Sequence, residues 1–124
     1  MCADWDMWIR LATRLSGVYS DDSLVLYRVH GSSMSTNLQV YESDSRYMLA
    51  KAFELPLPDE IKARRTEATA RMWEVLAACY WEQGAIADAF RCASRSIQTQ
   101  PSRLASLAFS VPYRMARRAV GLNR

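Results

Sequence analysis

The stretch of sequence that decides the fold is WEVLAACYWEQGAIADAFRCASRSIQTQP, residues 73–101. A run of helix-forming residues ends at Gly84, and a second run extends from about Ala85 to Thr99, just before Pro101. Two helices joined by so short a turn pack against each other as an antiparallel hairpin. The sequence therefore predicts a helical hairpin here and a mainly α fold class.

The same stretch resembles one tetratricopeptide unit, a helix–turn–helix repeat defined by spaced residues, at about residues 70–103. Small residues in such a unit let the helices approach, and large residues interlock. The matching positions are Trp73, Leu76, Ala77, Tyr80, Gly84, Ala89, Ala93 and Pro101. Ala93 and Ser96 stand where the family usually has a large aromatic residue and an alanine. A hairpin without repeat ancestry explains the same residues, because no second copy is found and one copy cannot bury its own faces.

Further helices are predicted on both sides of the hairpin. They cover residues 38–53 and residues 102–118, and Pro112 should kink or split the second of them. The first helix of the hairpin itself is predicted over residues 59–83. We expect four or five helices to pack around a common core. The predicted core residues are Trp73, Leu76, Tyr80, Ala89, Phe90, Ala93 and Ile97.

The N-terminal part of the chain has a different pattern. Apolar residues at helical spacing predict a helix over residues 4–16, with Asp4 as its N-cap and Asp6 in its first turn. Residues 24–29, LVLYRV, predict a short strand, which needs pairing partners that the remaining sequence does not supply. A Gly- and Ser-rich loop, HGSSMSTN, follows at residues 30–37.

The polar residues of this part permit several kinds of chemistry. Asp4 and Asp6 are two positions apart, about 200° around a helix, so they are not a paired-carboxylate site. Either one could face a pocket as a general base, or serve as a structural cap. His30 suits a metal, a phosphate or a backbone carbonyl. Arg28 lies two residues before His30 and points to the same side if the strand continues to residue 30. An Arg and a His together suit a diphosphate.

Two segments of this part resemble the family 2 glycosyltransferases of the GT-A fold. In that family, E-D-W-D-x-W-x-R-L-A carries the catalytic base in its E-D pair, and a later Y-R-x-H-x-x-S-M-S closes the catalytic domain. Residues 3–12, ADWDMWIRLA, match every named position except the first, and residues 27–35, YRVHGSSMS, match throughout. The resemblance makes residues 1–37 the helix–strand–loop remnant of a GT-A α/β domain. Residues 38–124 become a helical extension that contains the tetratricopeptide-like unit.

The glycosyltransferase resemblance implies inverting transfer of a sugar from a nucleotide-sugar to a hydroxyl of an acceptor glycan or lipid. By that correspondence Asp4 is the general base that takes the proton of the acceptor hydroxyl. His30 lies at the donor diphosphate and its divalent metal, Mg²⁺ or Mn²⁺. Arg28 and Ser35 bind the diphosphate. Ala3 stands where the family has an acid, which removes a charge next to the base.

The family's nucleotide-binding strands and its Asp-x-Asp metal motif would precede Asp4. We therefore expect the 124-residue chain alone to have no donor pocket, no bound cofactor and no transferase activity. The resemblance also gives Trp5 and Trp8 a role in packing the helix rather than in stacking on sugar. It gives Arg10 a role in orienting the loop.

Composition narrows the classes of function further. Half of the residues are hydrophobic and 23% are charged, which is typical of a globular domain. No apolar run approaches the ~20 residues of a membrane-spanning helix, and acids near the N-terminus argue against a secretory signal. Cys2, Cys79 and Cys92 lack metal-binding spacing and indicate free thiols in a reducing compartment. We expect a cytoplasmic protein.

The C-terminal third is basic, with seven arginines and no acid after Asp88. This charge suits the inner face of a membrane, a phosphate-bearing substrate or nucleic acid, and a solvated helix face explains it as well. No segment resembles a recognition helix with base-reading side chains, so nucleic-acid binding is not favoured. The main interpretation is thus part of a glycosyltransferase, and the alternative is a tetratricopeptide-like module that binds a protein partner.

Overall fold

The computed structural model describes residues 2–26 and 37–105. These residues form the helices α1 (Ala3–Ala12), α2 (Leu38–Ala52), α3 (Asp59–Lys62), α4 (Arg65–Glu82) and α5 (Ile86–Thr99). The prediction of a mainly α fold is confirmed. No strand forms at residues 24–26, and the other residues of the predicted strand and most of its loop lie outside the described part. Residues 103–105 begin the predicted last helix, whose remainder also lies outside it.

The chain divides into two compact units, Met1–Lys62 and Ala63–Arg124. In the first unit α1 packs against α2, and in the second unit α4 packs against α5. Every residue of the predicted core belongs to the second unit. The predicted domain boundary after residue 37 separates two segments by the family that each resembles, whereas the boundary after residue 62 separates two compactly packed units. The boundary after residue 37 therefore stays a prediction.

The start of α1 differs from the prediction. The backbone N–H of Asp6 already donates to the carbonyl oxygen of Cys2 at 3.0 Å, which closes the first helical turn. Cys2 is therefore the N-cap, without a capping hydrogen bond from its side chain, and the prediction of Asp4 as N-cap is wrong. Asp4 lies inside the first turn, where the helix dipole favours a negative charge.

The N-terminus of α2 is capped by a side chain. Asn37 has an extended backbone, and its Oδ1 accepts a hydrogen bond from the backbone N–H of Val40 at 3.1 Å. Leu38, Ser45 and Ala52 are buried at intervals of seven residues, so they share one side of the helix. The predicted helix over residues 38–53 is confirmed to within one residue.

The predicted helix over residues 59–83 is instead two helices, α3 and α4, separated by a turn at Ala63 and Arg64. No glycine or proline stands at this break, and nothing in the local sequence explains it.

The turn between α4 and α5 is a Schellman motif. The backbone N–H of Ala85 donates to the carbonyl oxygen of Tyr80 at 2.9 Å, and that of Gly84 donates to Trp81 at 3.0 Å. Gly84 has φ +80°, a conformation that only glycine adopts without strain. The predicted stop at Gly84 is confirmed, and the motif reverses the chain so that α5 returns along α4.

The core of the second unit lies between α4 and α5. Its buried apolar residues are Ala70, Trp73, Leu76, Ala77, Tyr80, Ala89 and Cys92. Ser96 is also fully buried, and its Oγ donates to the carbonyl oxygen of Ala70 at 2.8 Å. This hydrogen bond joins the C-terminal part of α5 to the N-terminal part of α4, as expected of an antiparallel pair.

Most of the predicted core is confirmed, and Phe90 is the exception. Ala93 and Ile97 are half-buried, whereas Phe90 is 63% exposed. Phe90 precedes the fully buried Cys92 by two residues, so it lies on another side of α5. Its ring forms an edge-to-face pair with Trp81, with centroids 6.3 Å apart.

Candidate functional site

The predicted base, Asp4, lies in the first turn of α1 and is exposed. Its Oδ1 accepts a hydrogen bond from the backbone N–H of Trp5 at 2.9 Å, one of the N–H groups that have no partner within the helix. It forms no ion pair with a described residue. The carboxylate is thus open to a group that approaches from solvent.

Asp6 has a different environment, because it faces α2. Its Oδ2 accepts from Lys51 Nζ at 3.1 Å and lies 3.0 Å from Arg10 Nη2, and only 19% of its side chain is exposed. The two positively charged groups hold Asp6 between the helices. Asp6 therefore joins α1 to α2, and Asp4 lies on roughly the opposite side of the same helix.

A pocket of about 250 Å³ lies between α1 and α2 on the Asp6 side. Its lining residues are Cys2, Ala3, Asp6, Asp44, Tyr47, Met48 and Lys51. The Sγ of Cys2, which lines the pocket, is hydrogen-bonded to Ser45 Oγ at 3.5 Å. Asp4 does not line the pocket, so this pocket is not a place where a ligand would meet the predicted base.

The other side of α1 is apolar and exposed. We call it the outer face of α1; it consists of Trp5, Met7, Trp8 and Leu11, with Asp4 at its N-terminal end and Leu15 in the turn just after the helix. Trp5 and Trp8 are each 63% exposed and Leu15 is 64% exposed. Trp5 and Trp8 are therefore largely exposed in this chain, and the packing role that the resemblance implies for the longer enzyme stays a prediction. Asp6 turns towards Lys51 of α2, and this leaves the tryptophans facing outwards.

The remaining predicted site residues, Arg28, His30 and Ser35, lie outside the described residues. Their roles, and the expected divalent metal, stay predictions. Within residues 2–26 and 37–105, no three His, Cys, Asp or Glu side chains come together as a metal-binding group. Of the four predicted site residues, the described part of the structure thus contains Asp4 alone.

Sequence reasoning missed the ion pair between Asp6 and Lys51. The contact of Asp6 with Arg10 could have been found, since an acid four residues before an arginine is a familiar helical pair. Lys51 lies 45 positions later, and no local pattern connects it to Asp6. The loop-orienting role of Arg10 stays a prediction, whereas its contact with Asp6 is now established.

No protein-family model, no curated protein and no solved structure matches this chain. Among the described helices, none has both the length and the apolar character that crossing a bilayer requires. The interpretation of this site therefore depends on the two sequence motifs and on the geometry of α1.

Proposed function

We propose that this chain is the C-terminal part of an inverting glycosyltransferase of family 2, inactive as the isolated polypeptide. The observation that carries the proposal is the pair of motifs at residues 3–12 and 27–35, which match in order and at close spacing. The geometry of α1 supports it, because the motif's aspartate, Asp4, is exposed in a first helical turn.

In the proposed reaction, Asp4 takes the proton of the acceptor hydroxyl. The acceptor oxygen then forms a bond with the anomeric carbon, and the bond from that carbon to the nucleoside diphosphate breaks with the electron pair leaving on the diphosphate. Asp4 suits this role better than Asp6, because Asp6 is already held by Lys51 and Arg10.

The donor side of the proposed site depends on residues outside the described part. Arg28 and Ser35 would bind the diphosphate of the nucleotide-sugar, and His30 would lie at its Mg²⁺ or Mn²⁺. The metal would stabilise the departing negative charge. The acceptor would be a glycan or a lipid, with the protein at the cytoplasmic side of a membrane and its basic C-terminal region against the lipid headgroups.

The test begins with the reading frame upstream of the codon for Met1. A frame that encodes a strand-rich segment with Asp-x-Asp supports the proposal, and an unrelated frame contradicts it. In the longer protein, Asp4→Asn should lower kcat with nucleotide-sugars by about 100-fold or more and leave the KM for the donor unchanged. Asp21→Asn, at an exposed acid away from α1, is the matched control and should retain activity.

The inactivity of the isolated chain has its own measurement. The purified 124-residue chain, with Mg²⁺ or Mn²⁺ present, should release no nucleoside diphosphate from a panel of nucleotide-sugars. Turnover by this chain would refute that part of the proposal.

A tetratricopeptide-like interaction module is the second candidate function. The antiparallel pair of α4 and α5 and the turn at Gly84 favour it. Peptides selected on the immobilised chain should then lose affinity with Phe90→Ala. They should not lose it with Trp8→Ala, at an equally exposed aromatic residue of α1. The opposite result contradicts this candidate.

A further inference from the structure

The outer face of α1 is an interaction surface without an occupant among the described residues. Helix α1 buries none of its own residues, and its most exposed apolar side chains follow one another on one side. Tryptophan side chains bury a large area on contact and are enriched where proteins meet. A surface patch of this kind on a ten-residue helix usually marks a place of association.

The charges at the two ends of this face are opposite and unpaired. Asp4 stands at its N-terminal end, and Arg14 stands just after the C-terminal end of α1. Neither forms an ion pair within the described part of the chain, whereas Asp6 and Arg10 between them pair with each other. Ten residues separate Asp4 from Arg14, which is about 15 Å along a helix.

The geometry points to a second copy of this chain as the occupant, with the two α1 helices antiparallel across a two-fold axis. Each Asp4 then faces the partner's Arg14, and the apolar side chains between them face each other. The helix dipoles also run in opposite directions, which is the favourable arrangement. A parallel pair would place each acid against the partner's acid.

A lipid surface fits this face less well than a second copy does. Asp4 lies within the face, and Asp21 and Asp22 are exposed on the segment that follows. The unit Met1–Lys62 contains nine acidic and six basic residues, a net charge of −3. Anionic headgroups would repel such a surface. This inference concerns the isolated 124-residue chain and does not rest on the proposed catalytic function, because in the longer enzyme Asp4 would meet the acceptor hydroxyl instead of the partner's Arg14.

The experiment measures the mass of the purified full chain by analytical ultracentrifugation between about 10 μM and 1 mM. Two short helices bury less than a standard interface of ~1,200 Å², so we expect a weak, concentration-dependent dimer. Trp8→Glu should raise the dissociation constant at least about tenfold. Phe90→Glu, at an aromatic residue with the same 63% exposure on α5, is the matched control and should leave it unchanged.

Charge reversal tests the antiparallel arrangement. Asp4→Arg and Arg14→Asp should each weaken the dimer, because each creates facing like charges. The double variant D4R/R14D should restore the dissociation constant to within about threefold. Mixing the two single variants should also give a dimer, and this checks that α1 still folds in each.

The outcomes separate this inference from the proposed function. A monomer throughout the concentration range overturns it, and so does a dimer that Phe90→Glu dissociates while Trp8→Glu does not. The antiparallel arrangement is overturned if the double variant does not form a dimer although the mixed single variants do. Binding of the monomer to phosphatidylserine vesicles that is lost with Trp8→Glu would show a lipid occupant instead. None of these results alters the kcat test of Asp4.

Discussion

At the scale of single residues, Gly84 has the clearest conformational role. Its φ of +80° allows two backbone N–H groups to reach the last carbonyls of α4, which would otherwise lack partners. A methyl group added at Gly84 would meet no atom within 4 Å. The effect of a substitution there is therefore conformational rather than steric.

Gly84→Ala should lower the free energy of unfolding by about 1 kcal/mol, because alanine is strained in the left-handed region. Gly17→Ala is the matched control, since Gly17 also has open space around it and no positive φ. Urea denaturation followed by circular dichroism measures both variants. Equal midpoints for the two would contradict the proposed role of Gly84.

The buried carboxylate of Glu74, in the second unit, depends on nearby arginines for its stability. Only 7% of the Glu74 side chain is exposed; Arg71 lies 2.7 Å from its Oε1 and Arg103 lies 3.5 Å from its Oε2. Arg103 also reaches Glu67 at 3.5 Å. Arg103 thus holds the residues that follow Pro101 against α4.

Arg103→Gln should destabilise the second unit by about 1–2 kcal/mol, because Glu74 stays buried after it loses the positive charge of Arg103. Arg64→Gln is the control: Arg64 is 70% exposed and its contact with Glu67 is at the surface, so we expect less than about 0.5 kcal/mol. Denaturant midpoints of the two variants decide between these values. A loss for Arg103→Gln no larger than that for Arg64→Gln would show that Glu74 does not need the second arginine.

At the scale of helices, α1 and α4 differ in length and in burial. α4 has 18 residues, six of them buried, whereas α1 has ten and buries none. Most helical stability in proteins comes from packing of one side of the helix. The contact of α1 with α2 depends on the Asp6–Lys51 pair and on Cys2, so little apolar burial supports it.

The backbone amides of α1 should exchange with solvent at least about tenfold faster than those in the middle of α4. Lys51→Met should accelerate exchange in α1 further and leave α4 unchanged. Native-state hydrogen exchange read residue by residue tests both statements, at a low protein concentration where self-association is negligible. Equal protection of α1 and α4 would mean that α1 has support beyond the contacts described above.

An element could be predicted from the sequence where residues at its own ends mark its beginning or its end. The bounds of α2 and α5 lie next to local signals, the Gly- and Ser-rich loop before α2 and Gly84 and Pro101 on either side of α5, and these bounds were predicted closely. The break between α3 and α4 has no such signal. The roles of Asp6 and the tryptophans of α1 depend on Lys51, which is far away in sequence. Sequence periodicity identified the apolar side of α1 without showing that it faces outwards.

At the scale of the whole molecule, charge is divided unevenly between the two units. The unit Ala63–Arg124 contains four acidic and ten basic residues, a net charge of +6, against −3 for the first unit. Four of its arginines lie beyond residue 105, namely Arg114, Arg117, Arg118 and Arg124. A surface of this charge attracts phosphate-rich partners at low salt.

The chain should therefore bind vesicles that contain about 30% phosphatidylserine and not vesicles of phosphatidylcholine alone. Binding should weaken at least about tenfold between 50 and 300 mM salt, because screening shortens the reach of surface charges. Replacing the four arginines beyond residue 105 by glutamine should remove it. Co-sedimentation measures each case, and salt-independent binding would point to apolar insertion instead.

The four tryptophans are shared equally by the two units, and this has a spectroscopic consequence. Trp5 and Trp8 are largely exposed, whereas Trp73 is buried beneath the guanidinium of Arg95, 4.7 Å from its ring centre. Indole emission shifts to the red in water, so the first unit should emit at longer wavelengths than the second, whose other tryptophan, Trp81, is half-buried. A single fluorescence spectrum can thus follow the melting of the two units separately, without any label.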